Sequence, residues 1–266
     1  MSGLARNDGN QALTHITGLV LLLDDVLYDR QEWLIPALCF AAERLGMDPD
    51  RVALCVDNYV QQHGRADAGI YNHILLSFGQ SDSVMNIRAF SAWVNRYEPL
   101  PGSLYMYAGV REALESLRYS HELCLLVQGN AESQKAVLSA LDARKLFSNI
   151  VYADEIEGLR SRLPDDRALK GLLKSMISRQ GNVMFVGNNP QKHFEVPNRL
   201  ACTTVRCMTG EYSHLDNESG SGCARYCITS AARLPWLLGV ADSGSGLSQS
   251  FGFEKNSDQI QRQAHA

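Results

Sequence analysis

The chain has 266 residues, 45% of them hydrophobic, and a net charge of −4. That is enough apolar material for one large domain or two modest ones. The mild acidity, with no long basic block, argues against nucleic acid or an anionic membrane as the main partner.

No apolar stretch approaches the roughly 18 residues that cross a bilayer. Residues 1–15 lack the apolar centre of a signal peptide and read as a loose N-terminus. The seven cysteines are scattered, with no Cys-x-x-Cys, which suits a reduced compartment. The expectation is a cytoplasmic protein.

The first strong signal is the apolar run Ile16–Leu23, a strand buried on both faces, which ends in Asp24 and Asp25. Acids directly after such a strand lie at its carboxyl end, where open parallel sheets place their ligand crevice. The plainer role for such acids is to cap the next element.

From Gln31 to about Arg96 only helical signals occur. Trp33, Ile35, Leu38, Phe40 and Leu45 suit an amphipathic helix that stops near Gly46. Three more are expected over Val52–Gln62, Gly69–Phe78 and Val84–Tyr97. The turn residues Pro99-Leu-Pro-Gly102 end this insert.

Strands and helices then alternate. Helices are expected at Val110–Arg118, Ala131–Leu141, Arg167–Arg179 and Ala231–Leu238, and one opening at Pro190 that Pro197 breaks early. Strands are expected at Glu122–Val127, Asn149–Tyr152, Asn182–Val186, Ala201–Cys207 and Arg225–Ile228. This alternation predicts an α/β protein with a parallel sheet flanked by helices. The domain reading is a core of residues 16–30 and 100–239, a helical domain of 31–99, and a disordered tail of 240–266 rich in Ser, Gly and Gln.

Several polar residues have a plain reading and a sharper one. Cys207, His214, Cys223 and Cys227 cluster in sequence, but their spacing fits no standard zinc site, and Cys202, Cys207 and Cys227 suit buried strands. Tyr71, His73 and His63 are candidates to face the crevice, with surface or core roles preferred. Phe90 and Trp93, at helical spacing, read as core.

The motifs together resemble the haloacid dehalogenase-like (HAD) phosphohydrolases over residues 16–239. Leu22-Leu-Asp-Asp-Val-Leu-Tyr-Asp29 is similar to their first motif, an Asp-x-Asp pair. Val127-Gln-Gly-Asn-Ala-Glu132 resembles the second. Asp154-Glu-Ile-Glu-Gly158 and Leu163-Pro-Asp165 resemble the third, and Val186-Gly-Asn-Asn-Pro-Gln-Lys-His-Phe194 the fourth. The resemblance implies a Rossmann-like core with an all-helical cap inserted after the first strand.

It also implies a chemistry. One carboxylate attacks phosphorus, and a second, two residues on, moves the proton. A hydroxyl and an ammonium neutralise the phosphoryl oxygens, and magnesium screens the charge. Here the reactive positions depart together. Leu22 stands at the nucleophile position, Val127 at the hydroxyl, Leu163 at the lysine (unless Arg162 shifts into its place), and Asn188 and His193 at two metal-binding acids. Only Asp24, the acid/base position, is retained.

A leucine cannot form an acyl phosphate, and apolar walls do not compensate a dianion for lost water. The expectation is therefore a pseudophosphatase that binds a protein partner or a small ligand, with no metal and no cofactor. Gly129, Asn130, Asn188, Lys192 and His193 are the candidate ligand-binding residues, with Lys192 and His193 supplying positive charge where magnesium would sit. The alternative is a phosphatase acting on a small metabolite such as a nucleotide or sugar phosphate, through Asp24 and an unusual nucleophile such as Asp25. Side-chain alternation in extended backbone would point Asp25 away from Asp24.

Overall fold

A computed structural model of the protein describes residues 12–157, 166–217 and 222–240. The expected tail and the Leu163-Pro-Asp165 motif lie outside the described residues. A six-stranded parallel sheet forms the centre, in the order β3-β2-β1-β4-β5-β6. Its strands are β1 Gly18–Leu22, β2 Glu122–Val127, β3 Asn149–Tyr152, β4 Val183–Gly187, β5 Thr203–Cys207 and β6 Tyr226–Ile228.

β1 lies in the middle, with Gly18 level with Glu122 on one side and with Val183 on the other. Every β1 residue is buried. That explains its unbroken apolar run, since helices cover both faces and no side faces water. The strand is shorter than expected because Leu23 already belongs to the turn that follows.

Four helices occupy the stretch between β1 and the rest of the core: α1 Gln31–Arg44, α2 Pro49–His63, α3 Ile70–Ser77 and α4 Val84–Val94. Two of them start at a side-chain cap. Asp48 precedes α2, its carboxylate accepts from the Asp50 N–H at 3.0 Å, and Pro49 takes the first helical position. Ser83 caps α4 by accepting from the Asn86 N–H at 3.3 Å. Phe90 is fully buried, as expected, whereas Trp93 is only partly covered and packs edge-on to Phe40.

The remaining helices are α5 Val110–Leu117, α6 Ala131–Ala140, α7 Ala153–Glu157, α8 Arg167–Gln180, α9 Glu195–Arg199 and α10 Leu234–Leu237. Two expectations fail locally. Pro190 opens no helix, because Asn189 and Gln191 fold into a tight turn first. The last helix starts with a 3₁₀ turn at Ala231–Arg233 and yields only one α-helical turn. Among the described residues no helix is long and apolar enough to cross a membrane.

Asp48→Ala is expected to cost about 1 kcal/mol, the usual value of such a cap. Urea unfolding should show the loss as a lowered midpoint with an unchanged slope.

Candidate functional site

A cavity of about 350 Å³ opens where β1, β2 and β4 end. Leu22 forms part of its floor, 4% exposed, and Leu126 is level with it on β2. The insert contributes Asp67, Ala68 and Tyr71, and the segment after β5 contributes Glu211 and Tyr212.

Asp24 follows the strand and keeps 28% of its side chain exposed. Tyr28 donates its hydroxyl to Oδ1 at 3.0 Å, and Gln134 donates from Nε2 to Oδ2 at 3.3 Å. Arg30 Nε lies 3.6 Å from Oδ2. Burial pushes the Asp24 carboxyl up to about 6, against the pull of Arg30, Tyr28 and Gln134.

Asp25 breaks the expected alternation. Its backbone is left-handed, with φ of +59°, so it leaves the strand geometry and lines the same cavity as Asp24. Its carboxylate accepts from the backbone N–H of Arg30 at 3.1 Å and of Glu211 at 2.9 Å, and pairs with Arg65 at 3.3 Å. Thr209 Oγ1 donates to the Asp25 carbonyl. Burial raises its pKa above the ordinary carboxylate value. Gly210, itself at φ +72°, makes room for this carboxylate: a Cβ there would fall 2.1 Å from Asp25 Cβ.

The fourth motif is held from below. Arg206, fully buried on β5, donates from Nε to the Asn188 carbonyl at 3.2 Å, and from Nη2 to the carbonyls of Tyr212 and Leu215 at 2.7 Å each. The His193 ring lies against Gly187, where Nδ1 would sit 3.0 Å from an added Cβ. Nδ1 accepts from the backbone N–H groups of Asn188 and Asn189, at 3.4 and 3.1 Å. Burial, and then the Lys192 charge, push its pKa down to about 3. His193 is therefore neutral near pH 7 and does not supply the positive charge expected of it.

The other sequence candidates divide. Asn188, Lys192 and Tyr71 line the cavity, although Tyr71 was expected on the surface or in the core. Gly129 and Asn130 lie outside its lining, since the Asn130 side chain caps α6 by accepting from the Ser133 N–H at 3.1 Å. Val127 is buried beside the cavity rather than in its wall. His63 and His73 pack on Tyr59, with ring centroids 4.2 and 5.1 Å away.

Sequence reasoning passed over Arg30, Arg65, Gln134 and Glu211. Arg30 had a legible signal, since it stands next to the acid-rich motif. The other three come from distant segments.

Magnesium, which the resemblance implies, does not suit these groups. It wants hard oxygen donors in octahedral array. Both Asp24 oxygens are engaged and Oδ2 faces Arg30, Asn188 offers one amide oxygen, and His193 Nδ1 is taken by backbone donors. Among the described residues no group of three or more His, Cys, Asp or Glu side chains is placed to hold a metal.

This is the fold of the HAD-like hydrolases. The chain superposes on a Bacillus subtilis protein assigned as a HAD-hydrolase, YfnB, which was bound to magnesium. The TM-score is 0.58 at 12% identity, over 84% of this chain and 98% of the other. A Haemophilus somnus protein described as a predicted phosphoglycolate phosphatase gives 0.58 at 14%, over 85% and 99%. The L-2-haloacid dehalogenase of Xanthobacter autotrophicus gives 0.51 at 14%, over 85% and 100%. No protein-family model and no curated protein sequence matches the chain.

Two outcomes follow from this geometry. Gly210→Ala should destabilise by about 2–4 kcal/mol, from the clash with Asp25 and the positive φ together. Thermal unfolding checks it, and an unchanged midpoint would contradict the close approach.

The second outcome concerns pH. The folded-state pKa of Asp24, about 6, lies above the ordinary 3.8. Its ionisation therefore costs stability, not at all below about pH 4 and fully above about pH 6. Asparagine mimics the protonated acid. Relative to wild type, Asp24→Asn should gain about 1–2 kcal/mol between pH 4.5 and 7.5, after discounting for solvent screening. Scanning fluorimetry of both proteins across that range reads the difference directly.

Proposed function

We propose that this protein is a catalytically degenerate HAD-fold protein that acts by binding a small ligand in the cavity over β1. One observation supports this most. Leu22 stands where the resemblance places the attacking carboxylate, and both neighbouring acids are committed elsewhere. Asp24 is engaged by Tyr28, Gln134 and Arg30, and Asp25 by Arg65 and two backbone N–H groups.

A cavity of about 350 Å³ favours a small molecule over a protein as the occupant. The insert α1–α4 acts as a cap, since Asp67, Ala68 and Tyr71 roof the cavity. Binding needs no magnesium. The net charge of −4 gives no reason to propose nucleic acid or membrane partners. The cysteines among the described residues are all free, which fits a cytoplasmic setting.

The second reading is a phosphatase of a small metabolite. The Asp24 pKa near 6 favours it, since such a group suits proton transfer. General acid–base help alone contributes about 10² to 10⁴ in rate, too little to make phosphate monoester hydrolysis visible.

The expected outcome is no turnover of p-nitrophenyl phosphate, sugar phosphates or nucleotides above background, with or without magnesium. Turnover by the wild type that Asp24→Asn abolishes would establish the phosphatase instead.

A further inference from the structure

The charges in the cavity do not match a phosphate. Four carboxylates line it, Asp24, Asp25, Asp67 and Glu211, against two cations, Arg30 and Lys192. A dianion would meet an excess of like charge and an apolar floor of Leu22, Leu23 and Leu126.

A simple cation is no better matched, because several hydrogen-bond donors also face the space unused. The Asn188 carboxamide is 3% exposed, lines the cavity, and has no partner among the described residues. Lys192 has no acid partner there either. Among the described residues the only ion pair of Arg30 is the 3.6 Å contact with Asp24, made through Nε.

The acids are not equally spent. Asp25 is held by Arg65 and backbone, and Asp67 accepts from the Tyr59 hydroxyl at 2.6 Å and the Gly69 N–H at 2.7 Å, both on Oδ1. Glu211 is half-buried and lies in the field of Arg30, Asp25 and Asp67; it accepts a hydrogen bond from the Tyr212 hydroxyl but has no ion pair of its own among the described residues, so acceptor capacity remains. Donors left over on Arg30, Asn188 and Lys192 thus share one small cavity with acceptors left over on Glu211 and Asp67.

We infer that the cavity binds a small zwitterion of the α-amino-acid class. Its carboxylate is taken by Arg30 and Asn188, its ammonium by Glu211 and Asp67, and its side chain by the leucine floor and Tyr71. Both ligand charges then replace water with an opposite charge, and the net charge of the site does not change. The inference rests on the binding reading above and names the ligand class for it.

The test uses the full chain and three sets of compounds. The first is the standard α-amino acids. The second is their analogues lacking one charge: the decarboxylated amines, the N-acetyl acids and the deaminated acids. The third is inorganic phosphate and p-nitrophenyl phosphate. Thermal shift finds binders, and calorimetry measures them.

At least one amino acid should bind saturably, and its single-charge analogues at least about tenfold more weakly, or 1.4 kcal/mol. Arg30→Gln and Asn188→Ala should each weaken the amino acid by a similar factor. Asn188→Ala guards against a folding artefact, because that carboxamide holds nothing else in place. Equal binding of an analogue lacking one charge, preference for phosphate, or no binding by any amino acid would each overturn the inference. Hydrolysis of p-nitrophenyl phosphate would overturn the binding reading itself, so the two failures are distinct.

Discussion

The structure around the cavity depends on one buried carboxylate. Asp25 ties three separate segments: the turn after β1 through the Arg30 N–H, the helical insert through Arg65, and the segment after β5 through the Glu211 N–H. A buried charge is tolerated only when its lone pairs are met, and here every partner is a donor. Gly210 has to be a glycine, and Asp25 has to leave extended geometry, for these donors to converge. Arg65 also pairs with Asp29 at 2.6 Å, so the insert is fastened to the core at two acids rather than one.

The same tie determines what chemistry is open to Asp24. With Asp25 spent on architecture, Asp24 is left with Arg30 as its cation and with Tyr28 and Gln134 as donors. A guanidinium is a permanent charge on a fixed tether, unlike a metal ion that can come and go. It also brings several donors in a plane, which suits a carboxylate better than it suits a transferring phosphoryl group. Behind this layer, Arg206 spends its own donors on the carbonyls of Asn188, Tyr212 and Leu215. Two cavity walls are thus set by one side chain that does not itself line the cavity.

The fold was largely legible in the sequence because it is written in local pattern. The β1 run, the helical spacing of Leu34 and Leu38, and the turn residues at 99–102 each carry their meaning within a short window. The site was legible only where it sits in one stretch, as with Leu22, Asp24 and Asn188. Arg65, Gln134 and Glu211 reach it from three different segments, and nothing local marks them. His193 misled for a related reason. Its charge state is set by burial and by two backbone N–H groups, and neither is visible in the identity of the residue. Asp25 was misjudged because alternation was extended one turn too far, past the last residue of the strand.

The place of β1 in the sheet has a consequence for how the chain is made. Among the described strands it leaves the ribosome before the others, yet its neighbours begin at Glu122 and Val183. At roughly 5–20 residues per second, it waits on the order of ten seconds for its second edge to be synthesised. Until β2 is made a fully apolar strand has both edges open, and until β4 is made it keeps one open, which is the condition that recruits chaperones or invites pairing with another nascent chain. The four helices of the insert make local contacts and can fold meanwhile, shortening the loop that must close before β1 and β2 pair.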